Sequence, residues 1–412
     1  VNDLSFDEKR KALCLWLLKH GATLKVSVVD SDGYRCLKTN LRVSKGDELV
    51  FIPLRCMMTM NNAKKCALVQ SLKDVVVTPQ THLALYLLEE KRKKSDSFFH
   101  SYISLLPKHY RDMPVCFDMQ QINSLKNSIC ESMLLTKQHS LASEFSSLIG
   151  LVDITFDEFV WARTAVITRV FNCKINKKET ECLVPIADMM NHAKEPSTQW
   201  EFDSERDGFK MASVRMIPSA LQLYDSYGDK CNSRYFGNYG FTLADNETSN
   251  QAGLFFELPN GAELAKTNYD DGFSGYNYCV NNKLMEGDRL RKIRFQVSVI
   301  SDRVSKPNEL LIRSMFGFAR LCASGSLKDV ETVAEIGPMS EPLELKALKI
   351  IGDAAQRARD SLPTPTDPRL NALVSCESNV LDFYIELAGF ADVDAIRKSD
   401  KFHAYWNMFY RK

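Results

Sequence analysis

The chain's twelve cysteines never come in close pairs: no two lie within four residues of one another. That spacing excludes the Cys-x-x-Cys half-site from which zinc sites are built. Cys56 with Cys66, and Cys173 with Cys182, have no histidine at ligand spacing either. A zinc or thiol enzyme is therefore disfavoured, and no metal is expected. With 412 residues to build a core, the chain needs no disulfide framework, so its thiols read as free and mostly buried. Net charge is missing too. Lys and Arg number 53 against 52 Asp and Glu, which gives no electrostatic reason to expect direct nucleic-acid binding or a membrane surface. No apolar stretch approaches the roughly 20 residues of a membrane span. The opening "VNDLSFDEKRKALCLWLL" mixes acids and bases before a short apolar run and lacks the pattern of a signal peptide. A first residue other than Met reads as a fragment or processed chain without its targeting segments; the expected location is cytoplasmic or nuclear, in a reducing compartment.

What is present is globular: 45% apolar and 25% charged residues, at a length for two or three compact units. "FDEKRKALCLWLLKHG" sets Leu13, Trp16 and Leu17 at helical spacing and stops at Gly21. The β-prone run at Val26, Val28 and Val29 meets a turn at Asp32-Gly33, and "ELVFIP" is a strand ending at Pro53. Helical patterns follow. "THLALYLLEEKRKK" ends in Lys91-Arg92-Lys93-Lys94, a solvated basic run, and "ITFDEFVWARTAVITRVF" opens on the capping box of Thr155 and Glu158. The same helix is expected to carry Arg169 and Phe171. "TQWEF" and "FKMASVRMI" read as strands. Beyond residue 290 the pattern is helical again, with Asn308 as a cap after Pro307, Leu345, Leu348 and Ile351 on one face, and a last long helix ending near Gly389.

Two segments stand apart, "VPIADMMNHA" at 184–193 and "DSYGDKCNSRYFGNYGF" at 225–241. Asn191 and His192 follow a run that should be buried, and each can donate and accept hydrogen bonds at once. Tyr227 precedes Gly228, and Asn232 comes soon after. Asn-His with a later Tyr-Gly strongly resembles the catalytic half of SET-domain protein methyltransferases. The resemblance is to the branch containing the Rubisco large-subunit lysine methyltransferase and the actin-histidine methyltransferase.

That resemblance implies an α+β fold: a β-rich SET domain with a pseudoknot, a helical insertion, and a C-terminal all-α lobe that holds a folded protein substrate. The boundaries expected are 1–60, 61–180, 181–285 and 286–412. It implies S-adenosylmethionine as cofactor, bound by Asp32, Gly33, Tyr34, Arg169, Asp188, Asn191, His192, Asn232, Tyr239 and Phe241. Arg35 stands where the family usually has a second Gly, and Ala220-Leu221 where it usually has Gly-Glu. Tyr227 becomes the catalytic residue. Methyl transfer needs nitrogen, methyl carbon and sulfur in line, and a neutral amine where lysine in water has a pKa of about 10.4. A phenol in an apolar channel aligns both partners without titrating. Phe171, Ala187, Tyr224 and Tyr239 are the expected acceptor-side residues. The histidine-methylating branch has Asn at the position of Phe171 and Trp at that of Ala187; Phe171 cannot hydrogen-bond an imidazole, so a lysine acceptor is expected. Absence of a terminal Cys-rich zinc segment separates the chain from many histone-directed enzymes. The alternatives are a protein-histidine methyltransferase and a catalytically silent binding module that keeps the fold.

Overall fold

The computed structural model describes residues 4–31, 33–256, 285–286, 289–290, 293–324, 334 and 336–411. Two compact units emerge: Val1–Cys116 with Lys137–Asp229, and Phe117–Thr136 with Lys230–Lys412. The sequence division differs, because 61–180 contributes to both units and 181–285 is divided between them after Asp229.

In the first unit, α1 (Phe6–Lys19) starts on a reciprocal capping box between Ser5 and Glu8 and buries Leu13 and Leu17. The strands that follow are β1 (Thr23–Leu24), β2 (Val26–Ser31), β3 (Tyr34–Thr39), β4 (Glu48–Pro53) and β5 (Met58–Thr59). Strands β2 and β3 form a hairpin whose register closes at Ser31 opposite Tyr34. Such a two-residue turn needs positive φ, and Gly33 supplies it at +84° with its N–H on the Asp30 carboxylate. Helix Pro79–Arg92 packs on helix Phe156–Ile167, each begun by a threonine cap. Their buried faces, Leu83 and Leu87 with Phe159 and Val166, join the core of the sheet.

The chain then returns to strands: β6 (Val170–Ile175), β7 (Lys178–Leu183), β8 (Asn191–His192), β9 (Thr198–Asp203), β10 (Gly208–Ser213) and β11 (Tyr224–Asp225). One sheet runs β1-β4-β10-β9, a second β5-β7-β6, and β8 pairs in parallel with β11. The helix before β6 stops at Ile167, so Arg169 lies in the turn and Phe171 on the strand. This corrects the helical placement. The helical spacing ran on past the end because "RVF" is compatible with either state; cross-strand pairing of Phe171 with Cys182 decides it.

In the second unit, helices Lys306–Ser324, Glu341–Ser361 and Pro368–Ala388 pack on the antiparallel pair β12 (Gln251–Phe256) and Ile293–Ser298. The lobe beyond residue 286 therefore includes a strand, where an all-helical lobe was expected. Its core holds Phe256, Phe295, Phe316, Phe318, Ile351 and Tyr384. Helix Lys306–Ser324 begins two residues before Asn308, because Pro307 is tolerated in a first turn, where an N–H would have no acceptor within the helix. Asn308 accepts instead from Gln251, at 2.9 Å. Buried Arg320 and Glu344 pair through two bonds of 2.8 and 2.7 Å. Glu377 reaches the start of helix Ile129–Ser146, where both its oxygens accept from the Ile129 N–H at 3.2 and 3.0 Å. That bond satisfies a helix donor that has no partner in its own helix.

Candidate active site

The parallel pairing of β8 with β11 sets Asn191 opposite Tyr224 and His192 opposite Asp225. The later segment thus runs beside the earlier one, as a pseudoknot crossing requires. Asn191 donates from its side-chain amide to the Arg35 carbonyl on β3, at 2.9 Å. His192 accepts at Nδ1 from the Tyr227 backbone N–H, at 3.0 Å, and its ring lies 5.2 Å from the Tyr227 ring. The Tyr227 hydroxyl donates to the Met190 carbonyl at 2.6 Å. Two separated segments of sequence are therefore one site, with the phenol pinned at both ends of its residue.

The bend that delivers this site is strained. Ile186 has φ 71° and ψ −54°, a left-handed conformation that a β-branched residue seldom adopts. Its cost is of order 1–3 kcal/mol. The turn that follows, Ala187–Met189, points Asp188 inward, with the Asp188 N–H held by the Val184 carbonyl at 3.1 Å. Ala187 itself is buried.

Asp188 anchors a buried polar cluster. Its Oδ2 accepts from the Tyr102 hydroxyl at 2.7 Å and pairs with Arg169 Nη1 at 3.4 Å; the same Nη1 donates to the Asp188 carbonyl at 3.2 Å. Burial raises the Asp188 pKa above the usual carboxylate value, and Arg169 and Tyr102 oppose it. Burial works against the charge of Arg169, but Asp188 and the phenols of Tyr110 and Tyr102 hold its pKa above the ordinary value. Two atoms of the cluster are buried without a hydrogen-bond partner among the described residues: Arg169 Nε and Asp188 Oδ1. A donor on a cation and an acceptor on an anion, side by side and unused, fit a ligand that carries both a carboxylate and an ammonium.

No family model matches the chain. It is 23% identical over 372 residues to SET domain-containing protein 4 of Artemia parthenogenetica, spanning 87% of this chain and 89% of that protein. It is 25% identical over 246 residues to ribosomal lysine N-methyltransferase set10 of Schizosaccharomyces pombe, spanning 56% of this chain and 45% of that protein. Against human SET domain-containing protein 4 it is 26% identical over 233 residues, 52% of this chain and 53% of the relative. Among solved structures, the SET domain of LSMT bound to lysine and AdoHcy matches with a TM-score of 0.69 at 18% identity, covering 93% of this chain and 92% of that one. Rubisco LSMT bound to AdoMet matches at 0.65 and 18% identity, over 92% and 91%. The chain has the SET fold, in its Rubisco LSMT-like form.

Within that SET fold, Tyr227 is bonded to the segment of Asn191 and His192, and Asp188 in the turn before that segment pairs with Arg169. Gly33 and Tyr34 form the tip of the β2–β3 hairpin, with Tyr34 55% exposed and its hydroxyl accepting from Gln222 at 3.0 Å. Asp32 lies outside the described residues. Arg35, at the position of the family's second Gly, is absent from the positive-φ residues, so the strand does not need glycine there. Its guanidinium binds Asp30 at 2.9 Å and also the Leu105 carbonyl. Tyr224 is half-buried beside Tyr34 and Cys36, and burial raises its pKa. Phe171 is buried edge-on to Trp200 at 5.2 Å and near Phe209 at 5.1 Å. Asn232, Tyr239 and Phe241 belong to the second unit. The Asn232 amide is committed there to Leu243, Cys376 and Asn246, while Phe241 stacks with Tyr235 at 5.3 Å and Tyr239 at 6.0 Å.

Sequence reasoning missed Tyr102, the Met190 carbonyl and Asp225. Tyr102 carries no local signal, since its partner is 86 residues away. Asp225 did carry one: it is an acid directly after Leu223 and Tyr224 in the strand that leads to Tyr227.

Proposed function

We propose that this chain transfers a methyl group from S-adenosylmethionine to the side-chain amine of a lysine in a folded, non-histone protein. The observation that carries the reading is the fixed phenol of Tyr227, held by Met190 and His192 beside the buried Arg169–Asp188 pair with its two open polar atoms. Bound S-adenosylmethionine supplies a methyl group made electrophilic by the sulfonium. Arg169 Nε would donate to its carboxylate and Asp188 Oδ1 would accept from its ammonium.

The chain's own residues do the rest. Tyr227 has its proton committed to Met190, so its oxygen lone pairs face outward and hold the methyl and the incoming nitrogen in line. Asn191 ties β8 to β3 and His192 fixes the backbone of Tyr227, so neither can shift without moving the phenol. Apolar Phe171 favours an uncharged aliphatic amine over an imidazole, which would look there for a hydrogen bond. The relatives support a protein acceptor: set10 is named a ribosomal lysine N-methyltransferase, and an LSMT structure holds lysine with AdoHcy. We assign substrate holding to the helical lobe beyond residue 286.

Labelling of a cell lysate with tritiated S-adenosylmethionine, followed by mass spectrometry of labelled bands, tests this. Wild type should label lysine, and Tyr227→Phe should cut labelling at least 100-fold while binding the donor within threefold of wild type. Label on histidine alone in paired Lys and His peptides would end the lysine assignment. A wild-type protein that binds no donor in a calorimeter would leave the silent-module alternative.

A further inference from the structure

One buried acid has no role in the preceding account. Asp225 is only 8% exposed and ends the strand that pairs with His192. Among the described residues, no lysine or arginine forms an ion pair with it; the Trp200 indole and the Ser226 N–H are the neighbours that ease its charge. An ionised carboxylate out of water without a cation is costly, and natural chains retain one where something positive arrives. Burial duly pushes its pKa up to about 6.

Its surroundings fit one kind of visitor. Asp225 pairs with His192 at the end of β11, and Tyr227, two residues on, donates its backbone N–H to that same His192. Trp200, a neighbour of the carboxylate, is edge-on to Phe171 at 5.2 Å and stacked on Phe209 at 5.5 Å. An anion, a phenol and aromatic walls together suit an aliphatic stem that ends in an ammonium.

We propose that Asp225 is the acceptor-binding carboxylate of this site, receiving a primary ammonium and taking its proton. This deepens the lysine reading above and rests on it. The step balances simply: the ammonium N–H bond breaks, an O–H bond forms on Asp225, and the neutral amine keeps the electron pair that attacks the methyl. Once the C–N bond has formed and the C–S bond has broken, nitrogen carries the positive charge and Asp225 returns its proton to water. Among the described residues, the titratable residue paired with Asp225 in the strand register is His192; Tyr224 and Tyr227 flank it on its own segment.

The test needs no knowledge of the natural substrate. The 412-residue chain saturated with S-adenosylhomocysteine is titrated by NMR with n-butylamine, a lysine side chain without its backbone, and with 1-pentanol, its uncharged counterpart. Wild type should bind the amine at least tenfold more tightly than Asp225→Asn does, with pentanol binding alike in both. In wild type, amine affinity should fall about tenfold from pH 7.5 to 5.0, as an acid of pKa about 6 gives up its charge. The Asn variant reports any share owed to His192. Equal amine binding by both proteins overturns the proposal, as does amine binding by wild type that ignores pH, which remains readable even if the variant does not fold. Wild type that binds S-adenosylhomocysteine but no amine overturns this proposal alone. Wild type that binds no S-adenosylhomocysteine removes the donor site itself, and this proposal with it.

Discussion

The backbone N–H of Tyr227 donates to Nδ1 of His192 across 3.0 Å. Nδ1 is therefore the acceptor, and a neutral ring carries its proton on Nε2. The bond makes His192 a clamp for the phenol. His192→Ala should lower kcat at least tenfold through loss of Tyr227 alignment, and cost about 1–2 kcal/mol of stability. Steady-state kinetics beside urea unfolding checks both. A variant that is less stable but fully active would show that Tyr227 holds its place without the ring.

The Arg169–Asp188 pair can be opened from either side. Arg169→Met leaves a buried carboxylate with Tyr102 as its main partner and should destabilise by about 3–5 kcal/mol. Adding Asp188→Asn should restore most of that stability while leaving donor binding lost. The double-mutant cycle, followed by denaturant unfolding and by calorimetry with S-adenosylmethionine, separates a structural ion pair from a ligand-binding one.

Ala220 has φ +62°, in the left-handed region, at a place where the family usually has glycine. Its N–H is held by the Thr39 carbonyl at 3.0 Å, so the conformation is imposed from outside. Ala220→Gly should raise stability by about 0.5–1 kcal/mol, the steric relief exceeding the extra entropy of glycine in the unfolded chain. A lower unfolding midpoint would contradict this.

Asp225 also sets a pH dependence of stability. Its folded pKa of about 6 is raised above the ordinary carboxylate value. The folded state thus holds this proton more tightly than the unfolded chain does. Stability is lost as pH rises from about 4 to 6, and the full cost, about 2–3 kcal/mol, is present above that. Asp225→Asn should be more stable than wild type at pH 7.5 by up to this amount, with the gap closing near pH 4. Urea midpoints at the two pH values measure it. A gap that does not change with pH would mean the carboxylate is not desolvated.

Much of this was legible in the chain. Thr155 with Glu158, the turn at Gly33 and the stop at Gly21 are local rules, each deciding its own few residues. Asn191-His192 and Tyr227 were picked out by the resemblance of their two segments to SET-domain methyltransferases; their polar groups amid apolar neighbours would alone fit a satisfied core equally well. What escaped depends on contacts that no local window contains. Arg169 and Phe171 continue a helical spacing until pairing with β7 claims them for a turn and a strand. Tyr102 sits in an aromatic stretch that reads as plain core until Asp188 arrives opposite its hydroxyl. The unit boundaries escaped for the same reason: residues 117–136 look like the rest of the helical insertion, yet belong with residues that come much later.

That last arrangement bears on how the chain is made. Ile129 finds its acceptor on Glu377, 248 residues downstream. At roughly 5–20 residues per second on a ribosome, the 117–136 stretch waits about 12–50 seconds for the helix that completes it. For that interval a nascent polypeptide can finish much of its first unit while this stretch still lacks its seat. Any product truncated before Glu377 would carry it permanently unseated, an apolar handle for chaperones and proteases.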